Sequence, residues 1–318
     1  MNNSSTLASI KNSIITFYIK DIDMNNAQKS VLKRTLLSKQ LALQLIPFGK
    51  LILLSSLSCS SFAYGQSDAL PKDTQNKEAL AKKLNNPVAA LISAPIQYNF
   101  DENIGADDKG SRTTINIQPV IPFSISDNWN LISRTILPVI DQESIHNNAG
   151  TQSGVGDIVQ SIFFSPKAPT NNGWILGAGP VLLLPTGSDD KLTADKFGLG
   201  PTAVALKQQG PWTYGALGNH IWSVGGRSDR ADVNATFMQP FLVYTTKKAT
   251  TYALNTESTY DWESKQWAVP VNFTVTQMIK VGGQLISVGG GLRYWAKSTD
   301  NGPEGVGIRL MFTMLFPK

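Results

Sequence analysis

At 318 residues, with a formal charge of +5 and a pI near 9.1, the chain has the length for one large or two ordinary domains, and its basicity invites nucleic acid or an anionic surface. The charge is not evenly spread: residues 1–65 hold seven Lys/Arg against two Asp/Glu, which leaves 21 of each sign in residues 66–318. A body of zero net charge offers no electrostatic case for nucleic acid.

The first segment has the parts of an export signal. Lys29, Lys33, Arg34, Lys39 and Lys50 precede the apolar run LILLSSLSCSSF, and the small residues Ala63 and Gly65 place cleavage after Gly65. The basic region is long for a leader, which makes Met24 a candidate start. The single cysteine, Cys59, follows Ser56, Leu57 and Ser58, without the Leu three positions earlier that a lipidation site favours. A chain cut at Gly65 carries no cysteine, so it needs neither disulfide nor thiol chemistry.

Residues 66–92 are the one stretch with helical spacing: Ala79, Leu80, Leu84, Val88, Leu91 and Ile92 recur, and Pro87 interrupts them. They read as a short helical or linker segment, periplasmic or inserted as a plug. No run of about 18 apolar residues follows, which excludes a transmembrane helix but not a membrane-spanning strand of about 9 to 11 residues.

From residue 93 the pattern changes to short alternating segments cut by Gly, Asn, Asp and Pro clusters. Strands are expected near 94–102, 111–122, 129–140, 156–164, 173–184, 196–208, 212–224, 234–246, 250–261, 267–279, 284–295 and 305–316. In 267–276, Trp267, Val269, Val271, Phe273 and Val275 share one face, opposed by Ala268, Pro270, Asn272, Thr274 and Thr276. Such alternation also suits a soluble antiparallel sheet with one wet face.

Three features favour a membrane barrel. Aromatics gather near strand ends, as at Trp212, Tyr214, Trp222, Tyr252, Tyr260, Trp262, Trp267, Tyr294 and Trp295. The opposite faces carry Gly, Asn, Thr or charge, suited to a wet lumen. The last alternating segment ends on Phe316, like the closing strand of bacterial outer-membrane barrels. The expected fold is therefore all-β: a transmembrane antiparallel up-and-down barrel of about twelve strands over residues 93–318.

The strings GDIVQSIFFSPK, GWILGAGPVLLLPTGSDD, KFGLGPTAVALKQQGPWTYGALGNHIWS, DRADVNATFMQPFLVYTT and TESTYDWESKQWAVPVNF resemble the outer-membrane family labelled "MetA pathway of phenol degradation", over roughly residues 87–318. The resemblance implies an outer-membrane barrel transporter for small hydrophobic or aromatic compounds. It transfers no catalytic set. Pro317 and Lys318 follow Phe316 here, where many outer-membrane barrels stop on the aromatic residue.

Chemistry has little to work with. Two histidines, His146 and His220, make no paired metal spacing, and no metal, nucleotide or cofactor motif stands out. Asp189, Asp190 and Asp195 could gather a cation, but read more simply as a solvated loop. The GxGP repeats at 177–180 and 198–201 lie inside alternating segments, so bends in a barrel wall explain them better than a phosphate cradle. A barrel hydrolase would need a same-face Ser/His pair, whereas His220 and Ser223 fall on opposite faces of a strand.

The remaining candidates are interior charges. With the apolar faces turned to lipid, Asn255, Glu257, Asn272, Arg293 and Arg309 point inward, as lumen and selectivity candidates or as a network that holds the barrel shut. Ile308, Leu310, Phe312 and Phe316 form the lipid-facing closing strand, through which barrel-insertion machinery would act. The expected function is passive passage of small hydrophobic solutes across the outer membrane. A lipase-like barrel and a mainly structural, plugged barrel are the alternatives.

Overall fold

The computed structural model describes residues 72–145 and 150–316. The leader over 1–65, with Met24, Cys59 and the Gly65 cleavage position, lies outside the described residues, as do 66–71, His146, Pro317 and Lys318. One helix, α1 (Lys72–Leu84), precedes the strands.

Twelve antiparallel strands follow. They are β1 (Ile92–Ile104), β2 (110–124), β3 (Trp129–Glu143), β4 (151–166), β5 (Trp174–Leu184) and β6 (Lys196–Gln209). The second half comprises β7 (Trp212–Gly226), β8 (Asn234–Thr245), β9 (250–261), β10 (Gln266–Val281), β11 (Gln284–Lys297) and β12 (Gly305–Phe316). Each pairs with its sequence neighbours, and β12 returns to β1 from Ile92↔Phe316 to Phe100↔Ile308. The closure removes the exposed edges that an open sheet would carry.

Three strands are locally interrupted. In β2 the register against β3 is the same on both sides of Pro119, from Ile117↔Leu137 to Val120↔Arg134, because proline costs a ladder bond without adding a residue. In β9 the break lies at Glu257, and the register on β10 again carries through. In β4 it does not: Val155 faces Val139 but Val159 faces Ile136, a one-residue bulge at Gly156–Asp157.

The sequence expectation of about twelve strands thus holds element for element, with one early boundary missed. Strand β4 begins at Thr151 rather than near 156, because the bulge breaks the alternation that would have revealed it.

The two ends of the barrel differ. At the end holding Ile92 and Phe316 the connections are 125–128, 167–173, 210–211, 246–249 and 282–283; at the other they include 144–150, 185–195, 227–233 and 298–304. Apart from 167–173 the connections at the first end span two to four residues, while at the other only 105–109 and 262–265 are comparably short; shorter turns at one end and longer loops at the other are the pattern of membrane barrels.

The outer surface has the matching chemistry. Exposed Phe123, Trp129, Trp174, Trp212 and Tyr252 ring the short-turn end, and exposed Phe197, Trp222, Trp262, Trp267 and Tyr294 ring the loop end. Between them lie exposed Leu176, Leu199, Leu242, Leu254, Phe273, Leu292, Ile308 and Leu310. An apolar band between two aromatic girdles is suited to lipid, and far exceeds the patches a water-soluble surface tolerates.

The GxGP repeats meet in space, with Pro180 on β5 directly opposite Pro201 on β6. Gly200 has no room for a side chain, since a Cβ there would run into the His220 carbonyl oxygen. The glycine lets the wall bend where adjacent backbones crowd.

Candidate functional site

The barrel interior has two unlike walls. One is charged and centres on Arg309, which is 2% exposed. Its Nη1 and Nη2 donate to the two carboxylate oxygens of Glu257 at 2.9 and 2.7 Å, and its Nε donates to Asn99 Oδ1 at 2.8 Å. Arg293 lies 3.9 Å from Glu257 and 3.5 Å from Asp101. Trp295 Nε1 donates to Asp101 Oδ1 at 2.8 Å, while the Arg293 guanidinium stands 4.5 Å from the centroid of the Trp295 ring.

Alternation explains how four strands deliver these groups. Residues two apart share a face, so Asn99 and Asp101 on β1, Asn255 and Glu257 on β9, Arg293 and Trp295 on β11, and Arg309 on β12 face inward together. Asn272 on β10 is 0% exposed and donates through Nδ2 to Asn255 Oδ1 at 2.9 Å. A planar guanidinium meeting a carboxylate with two parallel bonds is the strongest geometry such a pair can adopt.

Two further cations belong to this wall. Arg134 on β3 donates to Gln118 at 3.0 Å and Arg112 on β2 to Gln142 at 3.0 Å, and among the described residues neither lies within ion-pair distance of a carboxylate. The clustered Arg309, Arg293, Glu257 and Asp101 balance, so Arg112 and Arg134 leave the wall net positive.

The second wall is apolar. Ile132 on β3, Phe163 on β4, Val204 and Leu206 on β6, and Leu217 on β7 are buried together, with Val120, Ile175, Phe237 and Phe241 packed against them. Val88, from the segment before β1, is buried in the same cluster.

That segment fills the short-turn end. Leu80, Ala81, Ala89 and Leu91 pack with Ala249, Met278 and Leu315, with Leu84 and Leu285 beside them. Side-chain hydrogen bonds tie it to the wall, among them Asn85 Nδ2 to Thr245 Oγ1 at 3.1 Å and Gln208 Nε2 to the Lys82 carbonyl at 2.7 Å.

At the opposite end the loop 185–195 is pinned by Asp157. The carboxylate accepts from Gly187 N at 3.0 Å, Thr193 Oγ1 at 2.6 Å and Ala194 N at 2.7 Å. Leu192 is buried beneath the loop, where a Cβ on Gly156 would touch the Leu192 carbonyl oxygen. Arg230 donates to the carbonyls of Asp190 and Thr193.

Asp190 and Asp195 also face Arg227, and Lys196 pairs with Asp232 at 2.8 Å. Hydrogen bonds from Lys196 and Ser223 hold the Asp232 carboxyl below its ordinary range, and the Arg227 guanidinium does the same for Asp229. Asp190 and Asp195 are thus occupied by arginines, Asp189 accepts from Lys191 N at 2.8 Å, and no group of three or more metal-binding side chains occurs among the described residues.

The Ser/His pair stays apart. His220 faces outward, its Nδ1 2.7 Å from Thr236 Oγ1 and its ring 4.1 Å from that of Trp222, whereas the Ser223 hydroxyl donates to Asp232. Ile308, Leu310 and Phe312 are exposed on the outer face and Phe316 is half-buried.

Sequence reading missed Asn99, Asp101, Arg112, Arg134 and the inward turn of Trp295. A usable signal existed for Arg112, which interrupts its strand on the face opposite Ile115 and Ile117, as Arg293 and Arg309 do on theirs; Arg134 shares its face with Ile132 and Ile136 and gave no such signal.

No family model matches the chain, and no curated protein does. Among solved structures the chain is similar to an outer membrane channel from Pseudomonas putida F1, at 16% identity and a TM-score of 0.56, over 71% of this chain and 96% of that one. The NanC porin (10% identity, TM-score 0.42, 71% and 100% covered) and the β domain of the Bordetella autotransporter BrkA (11%, 0.39, 71% and 100%) resemble it more loosely. The first likeness supports the fold: a closed twelve-stranded antiparallel barrel.

Proposed function

We propose that the chain is an outer-membrane channel for passive passage of small, mainly hydrophobic or aromatic solutes. The observation that carries this reading is the two-walled interior, in which Phe163, Val204, Leu206 and Leu217 form an apolar surface within a barrel that also holds the Arg309–Glu257–Arg293 cluster. Membrane-barrel interiors are ordinarily polar, and an apolar surface beside a few placed polar groups is how small-molecule sites are built.

The likeness to the Pseudomonas putida F1 outer membrane channel supports a channel of this architecture, and the resemblance of GWILGAGPVLLLPTGSDD and its companion strings supports the solute class. In this reading Asn255, Glu257, Asn272, Arg293 and Arg309 set selectivity, and β12 is the segment presented to the barrel-insertion machinery. A mainly structural barrel is the second reading, favoured by the packing of residues 80–91 against the inner wall.

Uptake distinguishes the two. A plain phospholipid bilayer passes phenol unaided, so the test uses vesicles with lipopolysaccharide in the outer leaflet, comparing phenol, an alkane and xylose. A channel for apolar solutes accelerates phenol and the alkane over xylose. A structural barrel accelerates none.

A further inference from the structure

We propose that the apolar pocket now holding Val88 is the solute-binding subsite of the barrel, and that residues 85–91 occupy it as a self-ligand that an uncharged aromatic or aliphatic solute displaces. The inference rests on the channel reading and adds to it a located site and its occupant.

Val88 is 3% exposed and stands at the tip of a tight turn, in which Asn86 Oδ1 accepts from Val88 N at 3.0 Å and Ala89 N donates to the Asn86 carbonyl at 3.1 Å. The turn carries the side chain into the cluster of Ile132, Phe163, Val204, Leu206 and Leu217. The wall is notched to receive it: a Cβ at Gly177, the first glycine of GAGP, would lie 3.0 Å from Val88 Cγ1. The missing side chain makes room for a branched apolar group.

The same segment is held without a sheet ladder. Each strand is fixed by ladders on both sides, whereas residues 85–91 have the Asn85–Thr245 bond, the Gln208–Lys82 bond just before them and apolar packing. Packing of this kind is equivalent to what a small apolar solute offers, so the two compete without loss of any ladder bond. A solute then binds only the fraction of molecules whose turn is displaced, and its apparent affinity falls by that fraction.

A disulfide staple tests this. Val88→Cys with Gly177→Cys, in the full chain carrying Cys59→Ser, places two thiols within bridging reach. In lipopolysaccharide-bearing vesicles the oxidised form is expected to pass phenol at least about tenfold more slowly than the same protein after reduction, since stapling removes the competent state. Val88→Asp is expected to pass phenol faster than the parent protein. Adding Leu206→Asn to Val88→Asp is expected to return phenol flux toward the parent rate, with single-channel ion conductance kept.

Phenol flux that is equal before and after reduction overturns the proposal, because the Val88 pocket is then off the solute path. Staple and Val88→Asp changing phenol, xylose and ion passage in equal proportion, with Leu206→Asn neutral, also overturns it and leaves a plain steric plug in a working channel. Ion conductance without phenol passage in any form contradicts the hydrophobic-solute reading itself, and the subsite with it.

Discussion

Arg309 on β12 and Glu257 on β9 meet across two intervening strands, with Nη1–Oε1 and Nη2–Oε2 separations of 2.9 and 2.7 Å. The pair is a chord inside the barrel rather than a bond along its wall. It ties the closing strand, and Asn99 on β1 through Arg309 Nε, to the opposite side of the charged cluster.

Removing one end of this chord leaves a buried charge without its partner. Glu257→Ala is expected to lower unfolding free energy by about 3–5 kcal/mol in urea titrations of the lipid-inserted protein, and Glu257→Leu with Arg309→Met by much less. Glu257→Ala with Arg293→Ala is expected to raise single-channel conductance, since both groups project into the same passage. Unchanged conductance would assign the cluster to holding the barrel alone.

The positive excess of Arg112 and Arg134 makes an electrical prediction. In a salt gradient the reversal potential is expected to favour chloride over potassium, and Arg112→Gln with Arg134→Gln to shift it toward neutrality. A cation-favouring parent protein would contradict the charge count of the inner wall.

Orientation is testable one residue away from Arg309. Leu310 is 52% exposed on the outer face, midway along β12. Leu310→Arg is expected to cost about 2–4 kcal/mol of stability in a bilayer, the penalty for arginine near the lipid midplane, although native Arg309 adjoins it. A neutral effect would mean that this face does not meet hydrocarbon.

The loop-end ion pairs carry a pH dependence. The folded protein holds the Asp232 and Asp229 carboxyls below their ordinary value of 3.8, so their contribution is complete above that value and is lost as pH falls through the lowered one. Protection factors of the amides in 227–233, which remove the intrinsic pH dependence of exchange, are expected to hold steady above pH 3.8 and to fall as pH drops below it. Asp232→Asn should remove part of that transition, and an identical profile in the variant would disprove the assignment.

Strand number and facing were most legible along the charged wall, where an apolar outer face and a polar inner face impose a period of two; on β3 to β7 the inner face also carries apolar residues and the turn clusters mark the strands instead. Where that period is locally broken, legibility ended. The Gly156–Asp157 bulge hid the start of β4. Trp295 is a different case: unbroken parity with Arg293 puts it inside, but its place beside Tyr294 at a strand end reads as part of the outer girdle. Parity placed Glu257, Arg293 and Arg309 inside and made a network among them an expectation, and the Arg309–Glu257 and Arg293–Glu257 pairs are present; the parts played by Asn99 and Asp101 depend on barrel diameter and side-chain reach and were not legible. Nothing near Val88 announces its contacts with Phe163, Leu206 and Leu217, which are set entirely by closure of the barrel around it.

The most direct test of the central claim is the rate of phenol entry, relative to xylose, into lipopolysaccharide-bearing vesicles containing the inserted protein. Passage along the apolar wall predicts phenol entry well above protein-free vesicles, with xylose little changed. Equal acceleration of both solutes, or of neither, would contradict it.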